Sequence, residues 1–127
     1  MMKSRERVNG ITEGVLGAVF EVQNNLGCGF LEKLYEHALN LELKARGLRV
    51  QRQACFKVLY KGVFVGHYYA DLAVEGVVLV ELKCVERFEK AHLAQCLNQL
   101  RASGLPVCLL VNFQAPKVEY KQVVLDF

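Results

Sequence analysis

Apolar side chains along this chain change their spacing twice, and the changes divide it into helices and strands. Ile11, Val15, Ala18, Val19, Val22 and Leu26 recur at helical spacing, which predicts an amphipathic helix over residues 8–26. Leu26-Gly27-Cys28-Gly29 ends it, because two glycines so close favour a helix stop and a turn. A second helix is expected over residues 30–46, with Leu31, Tyr35, Ala38, Leu41 and Ala45 inward and Gly47 as its stop. Strand signals follow over residues 49–60, and Lys61-Gly62 turns the chain into a returning strand over 63–74. A turn at Gly76 leads to a third strand over 77–83. Residues 89–103 read as a third helix with Leu93, Leu97 and Leu100 on one stripe and Gly104 at its end. Val107 to Val111 forms a short apolar strand, and residues 118–125 a final edge strand. The order predicts an α/β (α+β) fold, a mixed central sheet flanked by helices. The helix between strands three and four suits a right-handed crossover joining parallel strands.

The most informative polar positions are Asp71, Glu81 and Lys83. Residues i and i+2 of a strand share a face, so Glu81 and Lys83 project together while Val78, Val80 and Leu82 project to the other side. Two acids beside a base can bind a hard divalent cation through oxygen and offset charge on a phosphate ester. The spacing makes a demand on the turn. A two-residue loop at Glu75-Gly76 would place Asp71 across from Val80, on the wrong face. A three-residue loop, Glu75-Gly76-Val77, would place it opposite Glu81. The site therefore requires an odd-length loop or an irregularity in this hairpin. The competing interpretation is a solvated polar side of an amphipathic sheet. Against it, residues 77–82 are apolar except for Glu81, and a carboxylate in such a strand needs a partner, a metal or a role.

Composition adds modest constraints. At 127 residues and 53% hydrophobic content, the chain is expected to form one domain over residues 1–127. The net charge of +3 permits an anionic partner without demanding one. No stretch approaches the ~20 apolar residues of a membrane span, and residues 1–7 carry charges with no signal-type apolar run behind them, so a cytoplasmic location is the default expectation. The five cysteines Cys28, Cys55, Cys84, Cys96 and Cys108 include no Cys-x-x-Cys pair and read as reduced thiols.

The order of motifs resembles the GxxExxY proteins of the PD-(D/E)xK nuclease superfamily, with a core like that of RecB and Cas4 nucleases. The naming motif is matched by Gly29-Phe30-Leu31-Glu32-Lys33-Leu34-Tyr35, the acids and lysine by Asp71, Glu81 and Lys83, and a helical His-x-x-Gln by His92 and Gln95. The resemblance runs from about Ile11 to Leu125. It implies a restriction-endonuclease-like fold and Mg²⁺- or Mn²⁺-dependent hydrolysis of DNA phosphodiester bonds. Asp71, Glu81 and the main-chain carbonyl of Leu82 would then bind the ion, with Glu32 holding a water or a second ion. Lys83 would position the attacking water, and Gln95 would orient Lys83 or a phosphate. One departure is Gln99, where related nucleases carry a tyrosine. Glutamine offers no aromatic face for a base, so Gln99→Tyr would be expected to strengthen single-strand binding if this helix lines the groove. Nucleic acid, held by scattered residues such as Arg52, Lys61, Arg87, Lys90 and Arg101, is the expected partner, and a homodimer or partner protein is left open. The alternatives are a catalytically silent nucleic-acid-binding or assembly module with the same fold, and a hydrolase of another phosphate ester.

Overall fold

The computed structural model describes residues 4–114 and 116–125. The chain runs α1 (Ser4–Leu26), α2 (Glu32–Ala45), β1 (Val50–Tyr60), β2 (Val63–Val74), β3 (Val78–Lys83), α3 (Lys90–Ser103), β4 (Val107–Asn112) and β5 (Glu119–Val124). All eight expected elements are present in the expected order. The strands form one mixed sheet in the order β1-β2-β3-β4-β5. β3 and β4 are parallel and joined through α3, while the other neighbours are antiparallel. The fold is restriction-endonuclease-like. Among the described residues no helix is long and apolar enough to cross a membrane.

Two apolar layers hold the sheet. On one face Val15, Val19, Tyr35, Leu39 and Leu43 of α1 and α2 pack on Leu72, Val78, Val80, Leu82, Leu109 and Val111. On the other, Cys96 and Leu100 of α3 pack on Ala54, Ala70, Ala73, Leu79, Cys108 and Leu110. β3 and β4 are therefore covered on both sides, which explains their nearly unbroken apolar runs.

The inward stripe of α2 differs from the expected one. Leu31 and Leu41 are exposed, and the buried residues are Tyr35, Glu36, Leu39, Asn40 and Leu43. The helix is rotated so that two polar residues face inward, and Glu36 finds partners there. The third helix is corrected in the same way: its buried residues are Cys96, Gln99 and Leu100, with Leu97 only half-buried.

Candidate active site

The β2–β3 turn meets the demand on its length. Glu75 and Gly76 both take left-handed backbone (φ 55° and 63°), and the Val77 N–H closes the turn on the Val74 carbonyl at 3.0 Å. Pairing resumes at Val74↔Val78, followed by Ala73↔Leu79 and Leu72↔Val80, so Val77 is an extra residue. Three residues thus separate the strands, and continuing that register brings Asp71 level with Glu81. Glycine at 76 accepts positive φ without strain. Glu75 is held there by Arg49, whose backbone N–H meets its carboxylate at 2.6 Å.

An irregularity occurs as well. Leu72 packs toward α1 and α2, whereas Ala70, also even-numbered, packs toward α3. On β1 the matching break lies at Gln53, a non-glycine residue at φ 49°, between the pairs Arg52↔Leu72 and Ala54↔Ala70. Asp71 is the extra residue in the alternation of β2. Its carboxylate reaches the edge of β3 and accepts the Leu82 N–H at 2.8 Å, just where the β2–β3 ladder stops. A side-chain oxygen replaces a backbone carbonyl there, and the two strands part around it.

Glu81 lies in the opening, 3% exposed. Burial first, and then the hydrogen-bonded Asp71 carboxyl and its charge, push its pKa up to about 9. Gln99 of α3 donates to the Glu81 carboxylate, and the Lys83 charge opposes the rise. One proton shared by two acids is the state expected of such a pair without a cation. Among the described residues no group of three or more His, Cys, Asp and Glu side chains could hold a metal ion. The protein oxygens on offer are therefore two carboxylates and nearby backbone, a set suited to a hard cation that keeps several waters.

The other expected site residues are distributed around this pair. Lys83 is half-buried at the end of β3, and its charge acts on Glu81 and Cys96. Glu32 is exposed in the first turn of α2, near Cys84, whose thiol it pushes up after burial has done so. Among the described residues Glu32 forms no three-ligand group with Asp71 and Glu81, and α2 reaches Asp71 only through Gln53, which bonds Glu36. Gln95 is half-buried on α3, its carbonyl 3.5 Å from the Tyr68 hydroxyl, with no hydrogen bond to Lys83. His92 caps α3, its Nδ1 accepting the Glu89 N–H at 2.9 Å. Tyr35, the last residue of the glycine-led motif, is structural. It stacks on Phe113 and donates to the Gly27 carbonyl at 2.6 Å, fixing the loop before Glu32.

Four residues around the site escape a sequence reading. Gln53 donates to Glu36 at 2.9 Å and approaches Asp71 Oδ1 at 3.5 Å, linking Asp71 to a buried network. Glu36, 3% exposed, also accepts from Arg52 at 3.1 Å, so Arg52 is committed to it and not to an anionic partner. Asn112, level with Lys83 on β4, receives the Val85 N–H at 3.1 Å and donates to the Val85 carbonyl at 2.7 Å, holding the chain that leaves the site. Tyr68 bridges β2 and α3 toward Gln95 and Gln99. The only signals in the sequence were polar residues in otherwise apolar runs.

A cleft of about 470 Å³ between the β1–β2 hairpin and α3 is lined by Lys57, Val58, Leu59, Tyr68, Asn98, Arg101 and Ala102, and the acid pair does not line it. Gln99, fully buried against Glu81, covers the acid from the α3 side. Gln99 consequently lines no groove. Gln99→Tyr should not strengthen single-strand binding. It should destabilise the fold by about 1–3 kcal/mol through overpacking, a loss readable by urea denaturation.

The raised Glu81 pKa gives a pH dependence with a defined sign. Between the ordinary value of 4.5 and about 9 the folded, metal-free protein holds a proton that the unfolded chain has lost, so stability falls as pH rises through that window. Each pH unit between the two values is worth about 1.4 kcal/mol, which limits the loss by pH 7 to roughly 3–4 kcal/mol. Urea titrations in chelator at several pH values should show this slope, and Glu81→Gln should flatten it.

The sequence matches, over residues 9–123, the family model described as the PD-(D/E)XK nuclease superfamily. The protein belongs to the PD-(D/E)XK nuclease superfamily. Asp71, Glu81 and Lys83 stand in the order that gives this superfamily its name. No curated protein matches the sequence. Among solved structures, the crystal structure of SSO0001 superposes with a TM-score of 0.58 at 13% identity, over 73% of this chain and 50% of that one. This chain therefore spans half the length of SSO0001. An alkaline exonuclease (LHK-Exo) from Laribacter hongkongensis superposes with a TM-score of 0.53 at 17% identity, over 99% of this chain and 73% of that one. At such identities the likeness is one of fold.

Proposed function

We propose that this PD-(D/E)XK nuclease-superfamily protein, of the GxxExxY type, is a Mg²⁺- or Mn²⁺-dependent nuclease that hydrolyses DNA phosphodiester bonds. The observation that carries the reading is the pairing of a buried Glu81 with an Asp71 carboxylate inserted into the edge of β3, with Lys83 beside them. A structural acid would be expected to sit at the surface or beside a full counter-charge. Here a second carboxyl group lies against the buried acid, and burial and that neighbour push the Glu81 pKa up.

Asp71 and Glu81 would hold the ion, with the Leu82 carbonyl as a third oxygen. Once bound, a divalent ion supplies Lewis-acid polarisation of a phosphoryl oxygen and lowers the pKa of water. The chain's own groups do the rest. Lys83 orients the attacking water and offsets the negative charge that builds on the phosphate oxygens. Glu81 would hold the ion only as the ionised carboxylate, so its proton would have to pass to solvent first. Gln99 keeps the Glu81 carboxylate fixed, and Gln53 steadies Asp71 against the Glu36–Arg52 pair. Glu32 is assigned an outer role, toward a water or a second ion, and Gln95 a role in orienting a phosphate. The product strand would carry a 5′-phosphate.

Incubating the protein with plasmid, linear duplex and single-stranded DNA in Mg²⁺, Mn²⁺ or EDTA tests this reading. Cleavage in either metal and none in EDTA is expected. DNA left intact under every metal condition would favour a nucleic-acid-binding module that has kept the fold and lost the reaction.

A further inference from the structure

We propose that the outer face of the β1–β2 ribbon is a stacking platform for single-stranded nucleic acid, leading the strand toward Asp71. The direction of delivery rests on the nuclease reading above, while the binding does not.

β1 and β2 are 11 and 12 residues long, whereas β3 has 6 and pairs with β2 only over Leu72 to Val74. Beyond Asp71 the two strands therefore continue as a two-stranded ribbon, with α3 on one side. The opposite side carries a row of rings. Phe64 and His67 lie 5.0 Å apart between centroids, and His67 and Tyr69 6.3 Å. Phe64 and Tyr69 are 51% and 54% exposed. Lys57 is the cross-strand partner of His67 and Leu59 that of Phe64, and both also reach the cleft on the α3 side. The row ends at Tyr69, two residues before Asp71.

Charge singles out the occupant. Residues 50–70 contain no Asp or Glu, but include Arg52, Lys57 and Lys61. Arg52 is neutralised by Glu36, and neither Lys57 nor Lys61 has an ion pair among the described residues. Solvated aromatic faces beside ammonium groups with no acid partner, Lys61 lying over the Tyr60 ring at 5.5 Å from its centroid, fit a chain of bases and phosphates, since every base has a face to stack and every linkage a charge to neutralise. A second copy of this protein fits less well. A two-fold pairing of ribbons would set an acid-free, cationic surface against itself. The ribbon also supplies the aromatic surface that α3 lacks, because Gln99 is buried at the position considered for it.

The test is fluorescence anisotropy in EDTA, so that no cleavage intervenes, with a labelled oligothymidylate and a labelled duplex of the same length. Wild type should bind the single strand more tightly than the duplex. Phe64→Ala combined with Tyr69→Ala should weaken single-strand binding by at least about 10-fold and duplex binding much less, stacking being worth about 1–3 kcal/mol per base. Lys57→Glu should weaken both and flatten the salt dependence. These side chains are exposed, so the variants should unfold in urea like wild type, and the comparison is made only for variants that do. Unchanged oligothymidylate affinity in the double variant would overturn the proposal. So would equal losses for single strand and duplex, or a wild-type dimer, seen by sedimentation, that the same substitutions dissociate. Because binding is read without metal, loss of the nuclease activity alone leaves this result standing, and loss of ribbon binding alone leaves the metal site standing.

Discussion

Lys83→Ala is expected to leave a folded protein that binds divalent cation and nucleic acid but cleaves about 10²–10⁴-fold more slowly, the range typical of removing a positioned proton-transfer or charge-stabilising group. Lys83 is half-buried at the end of β3, and its backbone carbonyl accepts the Phe113 N–H at 3.0 Å, a bond that alanine keeps, while its ammonium makes no ion pair among the described residues. Its charge lowers the cost of ionising Glu81, so its removal should raise the Glu81 pKa further without dismantling the ladder to β4. Single-turnover cleavage at saturating protein isolates this loss, because binding no longer limits the rate. A loss confined to affinity would move Lys83 from the reaction to substrate capture.

Asp71→Asn should abolish Mn²⁺ binding in a calorimetric titration and leave the metal-free protein as stable as wild type, or more so. The amide keeps an oxygen for the Leu82 N–H, now 2.8 Å from the carboxylate. It also removes the like charge that raises the Glu81 pKa. Metal binding loses one of two carboxylates in a site where the described residues offer no third. Undiminished Mn²⁺ binding would show that the ion sits elsewhere. A large destabilisation would make Asp71 chiefly a structural bridge between β2 and β3.

That Asp71 and Glu81 meet could be read from the sequence because strand parity is strict. Given the two acids, only a three-residue loop or an irregularity could reconcile them, and the protein has both. Element order was legible for the same reason, since apolar spacing changes sharply at Gly47 and again at Glu89. What stayed hidden depends on contacts between distant segments. The inward face of α2 is not legible from spacing, because besides Lys33 of its own helix the buried Glu36 takes Arg52 and Gln53 of another element as partners. Gln99 looked like a solvated residue on a polar stripe, yet it is the donor that accommodates Glu81 inside the sheet. Glu32 follows its motif in sequence, but among the described residues it forms no three-ligand group with the acid pair. Spacing fixes where a residue lies along a helix and says little about which neighbour that helix meets.

The central claim, that the acid pair and Lys83 form a metal-dependent phosphodiesterase site, is tested most directly by cleavage of end-labelled DNA by wild type and Lys83→Ala, each in Mg²⁺ and in EDTA. The account predicts cleavage by wild type in Mg²⁺, none in EDTA, and a rate for Lys83→Ala in Mg²⁺ lower by two orders of magnitude or more, about the low end of the range given above. Cleavage by wild type that persists in EDTA, or equal rates for the two proteins in Mg²⁺, would contradict it.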